Sequence, residues 1–273
     1  MKGCAILLLA LVIGCTGPSG GERLPHRPGL SLDSLAREHV DRAPLFQSYQ
    51  NKAISRWSED WPWQLDFSGV SWDSPKTATA ITPRHVVMAA HFQRKAGDRI
   101  TFHDRKGRPH SRTLIKVIPL RQMGTPCDVS VGLLDTPVPR SVRTYPLPEI
   151  NQAGSENLIG ASAVITGHRR DVDFRRILRF AGNSVVFQMH PSRGNLSGHA
   201  VITGDSGNPS FLLCKGELVL IETHTTGGAG AGPYYGHPEI QNAILKVVAQ
   251  TDPTYRPATI SLSGEFPSEA TGD

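Results

Sequence analysis

The residue types and spacing best suited to chemistry in this sequence lie in the hexapeptide Gly204-Asp205-Ser206-Gly207-Asn208-Pro209. The pattern Gly-Asp-Ser-Gly-x-Pro arises by chance in roughly one in a thousand chains of this length and residue usage. A serine hydroxyl at neutral pH is too poor a nucleophile to attack a carbonyl unless a base takes its proton. Chemistry at Ser206 therefore obliges an imidazole within reach and a carboxylate to orient it. The chain offers 11 histidines and 24 acidic residues from which to supply them.

The hexapeptide closely resembles the nucleophile loop of trypsin-like serine peptidases of the chymotrypsin fold. The resemblance implies that Ser206 is the nucleophile and that the backbone N–H groups of Gly204 and Ser206 form the oxyanion hole. The segment Ala78 to His91, ATAITPRHVVMAAH, is similar to the family's strand, turn, strand and Ala-Ala-His stretch, which makes His91 the general base. Asp128 heads the apolar run of CDVSVGLLD and resembles the family's acid, a combination that Asp104 and Asp135 lack. The order His91, Asp128, Ser206 is that of this family and not the order Ser, acid, His of the α/β-hydrolases. An α/β-hydrolase would need both partners after Ser206, where the last histidine is His237 and only Glu217 and Glu222 precede it; Asn208 also breaks the GxSxG elbow.

The resemblance extends over roughly residues 65–250. LVLIETHTTGG is similar to the strand that lines the family's primary specificity pocket, which assigns Thr223, His224 and Thr225 to the pocket wall and Ala200 to its floor. Several positions depart from the family. Phe92 stands where vertebrate members have a cysteine, and Asn208 replaces the second Gly of GDSGGP. Thr223-His224-Thr225 replaces the Ser-Trp-Gly wall, so a preference for Lys or Arg is not supported. No Ile-Val-Gly-Gly start is present, and Asp205 must find a partner other than the new N-terminus of zymogen-derived members, from within the body.

These residues need rigid elements to hold them. With 27 Gly and 21 Pro among 273 residues the chain is rich in turns. From about Gln64 it reads as a dozen short β-rich runs, among them LDFSGVSW, TATAITP, HVVMAA, DRITFHD, TLIKVIPL, AVIT and TISLSG. The expected fold is mostly β: two antiparallel six-stranded-type, chymotrypsin-like β-barrels with the site in the cleft between them. A C-terminal helix follows in PEIQNAILKVVAQ, where Ile240, Ile244, Val247 and Val248 recur at helical spacing after Pro238. The peptidase domain is expected over 64–262, preceded at 31–63 by an extension with one or two short helices capped by Ser31 or Asp33. A frayed tail is expected at 263–273.

The N-terminus reads as a targeting segment: Lys2, the apolar run Ala5 to Ile13, then Val12-Ile13-Gly14-Cys15. VIGC resembles a bacterial lipoprotein signal, which implies removal of residues 1–14, lipid on Cys15, a tether at 15–30 without fixed structure, and anchorage of an exported protein to the bacterial cell envelope. An ordinary secretory signal is the alternative, and it too exports the chain. The formal charge of +5 falls to +4 when Lys2 leaves, and no dense basic block with interleaved aromatics is present, so nucleic acid is not an expected partner. Cys127 and Cys214 are the two cysteines of the body, and their spacing alone does not decide whether they pair.

The bland readings are definite as well. His103 and His110 lack metal-ligand spacing such as HExxH and read as solvated, and no metal or cofactor is implied. His168-Arg169-Arg170 and Arg175-Arg176 read as a solvated loop, with the lining of a cleft for an anionic partner as the alternative. The function implied by the resemblance is a monomeric serine endopeptidase acting on peptide bonds of envelope or extracellular proteins. A non-catalytic binding lipoprotein on the same fold and an esterase with the same triad stand as alternatives.

Overall fold

A computed structural model describes residues 29–39, 41–150, 155–189, 200–264 and 266. The signal sequence, Cys15, most of the tether and the end of the tail lie outside these residues. Among the described residues no helix is long and apolar enough to cross a membrane.

The body is mostly β, built from two curled half-barrel sheets with a helix at the C-terminal end. The first sheet has the spatial order Thr79–Ala80, His85–Ala89, Val129–Leu134, Pro109–Pro119, Arg99–His103. Its central strands His85–Ala89 and Val129–Leu134 are buried along their whole length, as continuous apolar runs require. The second sheet runs Glu217–Thr223, Pro209–Cys214, Ser162–Gly167, Asp171–Ala181, Ser184–Met189, Ala231–Pro233, and the short strand Ala43–Pro44 is added to Asp171–Ala181.

Each sheet curls around its own apolar filling. Met88, Ile100, Phe102 and Leu134 fill the first, and Ile177, Val185, Phe187 and Leu212 the second. A larger cluster joins the two halves: Val129 and Val131 from the first sheet meet Phe211 and Leu220 from the second. The helix Pro238–Thr251 closes that cluster with Ile240, Ile244, Val247 and Val248, the positions its sequence period marks. Pro238 starts it, where a missing N–H costs nothing.

The segment 31–63 contains one helix, Leu32–Glu38, capped by Ser31 through a capping box with Ser34, and the short strands Ala43–Pro44, Phe46–Ser48 and Arg56–Trp57. It is built into the main core through Leu35, Leu45, Phe46, Trp57 and Trp61. It also touches both sheets. Trp57 Nε1 donates to the Asp104 carbonyl at 2.7 Å, and Leu45 N–H donates to the Arg170 carbonyl at 2.8 Å.

Several elements differ from their sequence expectation. LDFSGVSW forms no strand: Leu65, Phe67, Val70 and Trp72 are buried from an irregular path that touches the sheet only through the bridge Val70 to Thr79. AVIT contributes only the bridge Val201 to Gly228, and TISLSG only Thr259–Ile260, paired parallel to Leu147–Pro148. His103 is buried, not solvated; Nε2 donates to the Gln50 carbonyl at 3.1 Å. His110 is half-buried, with Nε2 3.1 Å from the buried Asp104 carboxylate. Arg175 and Arg176 lie in the long strand Asp171–Ala181, where Arg175 is fully buried and pairs with Asp173 at 2.6 Å. The charge run suggested a loop, but a buried acid two residues away lets the arginine sit inside the sheet.

Trp61 stacks on Phe174 with ring centroids 4.5 Å apart, joining the N-terminal segment to the second sheet. Trp61→Ala is expected to cost about 3–5 kcal/mol, read as a lower urea midpoint at unchanged slope. A second expectation concerns pH. His85 is fully buried between Thr82 and Thr251 hydroxyls, at 2.8 and 3.0 Å from its two ring nitrogens. Burial lowers its pKa to about 4, only partly offset by Asp252. A base whose folded pKa is depressed stabilises above its unfolded value and loses that contribution as pH falls towards the folded one. Stability should therefore drop between about pH 6.5 and pH 4, by about 3 kcal/mol at most from this residue. Thermal midpoints across that range should fall less steeply in His85→Gln than in the wild type.

Candidate active site

Strand register brings the first two residues together. Ala89 pairs with Val129 in the antiparallel ladder, and the next step places Ala90 N–H on the Asp128 carbonyl at 3.1 Å. The chain then turns through Ala90–Phe92, so that His91 folds back over Asp128. Asp128 Oδ1 accepts the His91 backbone N–H at 2.8 Å, and Asp128 Oδ2 accepts the His91 ring at Nδ1 through a short hydrogen bond. One carboxylate thus fixes both the main chain and the ring of the histidine. Because an ionised carboxylate only accepts, Nδ1 carries the proton and Nε2 presents a lone pair. Asp128 is half-buried, with its side chain 30% exposed.

The third residue comes from the second sheet. The ladder between Pro209–Cys214 and Glu217–Thr223 runs one pair beyond the strands, through His224 N–H to the Asn208 carbonyl at 3.0 Å and Gly207 N–H to the His224 carbonyl at 2.8 Å. That pins the loop immediately after Ser206. Gly204 and Gly207 have φ of 104° and 87°, the left-handed region that glycine enters without strain, and they turn the loop so that Ser206 faces the first sheet. Ser206 Oγ lies 2.9 Å from His91 Nε2 and donates to it. Ser206, His91 and Asp128 therefore form one continuous hydrogen-bonded chain.

Within the loop, Asp205, Gly207 and Asn208 N–H groups are bonded to the Ile202, His224 and Asp205 carbonyls. The N–H groups of Gly204 and Ser206 have no acceptor among the described residues. These are the two donors expected to hold an oxyanion. Asn208 is fully buried, and its side chain folds back to donate to the Asp205 carbonyl at 3.1 Å, so the larger residue in place of glycine braces the turn.

Asp205 is buried beside the serine. Its Oδ1 accepts from His168 N–H at 2.9 Å and from His168 Nδ1 at 2.7 Å, and its Oδ2 accepts from Ile202 N–H at 2.9 Å. Burial alone would raise this carboxyl, but the hydrogen bonds from Ile202 and His168 and the charge of the His168 ring outweigh it and hold the group below the usual carboxylate range. His168 is the internal partner that the missing N-terminal start left to be found. Sequence reading placed it in a solvated loop, since no motif in the chain pairs it with Asp205.

The pocket residues are less exposed than a pocket wall would be. Thr223 and His224 are fully buried. Thr223 Oγ1 bonds the Tyr235 hydroxyl at 2.9 Å. His224 Nδ1 lies 3.0 Å from Glu222 Oε1, close but without the alignment of a hydrogen bond, and its ring meets Phe187 edge-on. Thr225 Oγ1 reaches the Ala231 carbonyl at 3.3 Å, and Ala200 leads into the bridge at Val201. Cys127 and Cys214 are both free thiols. Burial pushes the Cys127 thiol up to about 11, so it is no thiolate nucleophile at neutral pH despite its place beside Asp128. Among the described residues no group of three or more His, Cys, Asp or Glu is placed to hold a metal ion.

No family model matches the sequence, and no curated protein matches it. A Cβ on Gly207 would sit 3.5 Å from Thr77 Oγ1 and 3.6 Å from Ala89, in ordinary contact, so Gly207→Ala tests backbone conformation and not space. The left-handed φ is expected to cost about 1–2 kcal/mol in unfolding free energy, measured by chemical denaturation.

Proposed function

We propose that this protein is a serine endopeptidase, exported and anchored to the bacterial cell envelope through lipid on Cys15, that cleaves peptide bonds of extracytoplasmic proteins. The observation that carries the reading is the 2.9 Å contact of Ser206 Oγ with His91 Nε2, on a ring whose other nitrogen is bound to Asp128. A hydroxyl that already donates to an oriented imidazole is the starting geometry for nucleophilic attack.

In the proposed reaction Ser206 Oγ bonds to the scissile carbonyl carbon while its proton passes to His91 Nε2. Asp128 stabilises the resulting imidazolium without taking the proton. The oxyanion lies against the Gly204 and Ser206 N–H groups, which need no reorganisation because neither has another acceptor among the described residues. The C–N bond breaks as His91 returns the proton to the leaving amine. Water then attacks the acyl-enzyme with His91 again as base, and the acid product leaves with Ser206 restored.

Labelling of the purified, signal-free protein with a fluorophosphonate probe tests the reading. Wild type should label and Ser206→Ala should not. His91→Ala should lower turnover of an acyl substrate by several orders of magnitude with folding intact, and the double variant should be little worse than either single one. An unlabelled, well-folded wild type would refute the assignment. Profiling the cleavage of a peptide library separates a peptidase from an esterase, which would turn over small esters and no peptide.

A further inference from the structure

His168 sits at a junction that the catalytic reading does not use. It belongs to the tight hairpin between Ser162–Gly167 and Asp171–Ala181 and reaches across to Asp205, which immediately precedes Ser206. Two donors of one residue, its backbone N–H and its ring Nδ1–H, converge on the same oxygen of Asp205. The ring also packs on Gly204, where a Cβ would lie 3.3 Å from His168 Nδ1. His168 thus touches the loop at Gly204 and at Asp205, the two residues before Ser206.

The hairpin is itself gripped from the N-terminal segment. Arg170, at its turn, holds φ of 63°, a left-handed conformation that a residue with a side chain adopts only when its surroundings impose it. The surroundings do so here. The Arg170 carbonyl accepts Leu45 N–H at 2.8 Å, its Nε donates to the Trp72 carbonyl at 2.9 Å, and its guanidinium lies 3.9 Å over the Tyr49 ring. Next to it, Asp171 pairs with Pro44 in the ladder and with Arg42 through a 3.3 Å ion pair.

We propose that His168 is a positioning residue that orders the Ser206 loop by holding Asp205, on a hairpin clamped in place by residues 42–49. A buried carboxylate cannot be left without donors, so Asp205 stays where His168 and Ile202 offer theirs. Because the backbone from Gly204 to Ser206 is continuous with Asp205, that anchor also fixes the direction of the Gly204 and Ser206 N–H groups, which have no acceptor among the described residues. The consequence for turnover rests on the serine-hydrolase reading; the ordering of the loop does not.

Asn and Leu have nearly the same shape, and Asn alone carries a donor where His168 has Nδ1, so His168→Asn and His168→Leu separate the hydrogen bond from packing. The readout is amide hydrogen exchange at Asp205, Gly207 and Asn208, referred to the strand Arg99–His103. His168→Leu should speed exchange at those amides about 10–100-fold, and His168→Asn should stay within about threefold of wild type. On an acyl substrate His168→Leu should lower kcat about tenfold or more with KM nearly unchanged, and His168→Asn should restore it. Equal exchange in wild type and His168→Leu would overturn the proposal. Should His168→Leu fail to fold, the ring tautomer of the wild type decides by 15N NMR. A proton on Nδ1 supports the hold on Asp205, and a bare Nδ1 above the ring's titration overturns it. A wild type that fluorophosphonate does not label, but whose loop exchange responds to His168, would remove the hydrolase reading and leave this one standing.

Discussion

The contact between Ser206 Oγ and His91 Nε2 has to be held to a few tenths of an ångström across the boundary of two separately curled sheets. Each sheet fixes its own residues by ladder register, but register says nothing about how one half sits on the other. That task falls to the shared core, where Val129 and Val131 meet Phe211 and Leu220 under the C-terminal helix. Side chains packed at crystal-like density resist relative sliding, because any shift opens voids or forces rotamers. The N-terminal segment adds hydrogen bonds to both halves at once, through Trp57 to Asp104 and Leu45 to Arg170. A site divided between two sheets thus depends on residues that never approach it.

A second constraint is the treatment of buried acids. Asp104 and Asp205 are almost fully buried, and each is surrounded by several donors: Lys106, Arg108 and His110 around the first, Ile202 and His168 around the second. In both cases burial would raise the carboxyl and the donors more than offset it. Asp128 is handled differently. It is half-exposed, with both oxygens committed to one residue, His91.

What the sequence made legible follows the range of the interactions. The turn at Gly204 to Pro209, the strand that delivers His91 and the helix from Pro238 are local patterns, and local patterns survive into the fold because backbone geometry and burial agree over a few residues. Ile240, Ile244, Val247 and Val248 were readable for that reason. Beyond the helix capped by Ser31, the N-terminal segment was not: Phe46 and Trp57 stack on each other and meet His103 and Asp104, Trp61 stacks on the distant Phe174, and the three show no period of their own. His103 and Arg175 carry polar side chains whose burial depends on Gln50 and Asp173 being present in space. Polarity alone therefore pointed to solvent.

His168 illustrates the same limit at the site itself. Asp205 was marked as needing a partner only through the resemblance that the sequence carries, and nothing in the spacing of His168 and Asp205 identified which residue supplies it. The donor is set by a hairpin whose turn carries Arg170 in a strained conformation, and that strain is tolerated because the N-terminal segment binds the turn. Order at the Ser206 loop is in this way a product of the whole fold. The donor to Asp205 is a side chain of the body, so the anchor of the Ser206 loop comes with the packing that brings the hairpin, the second sheet and residues 42–49 together.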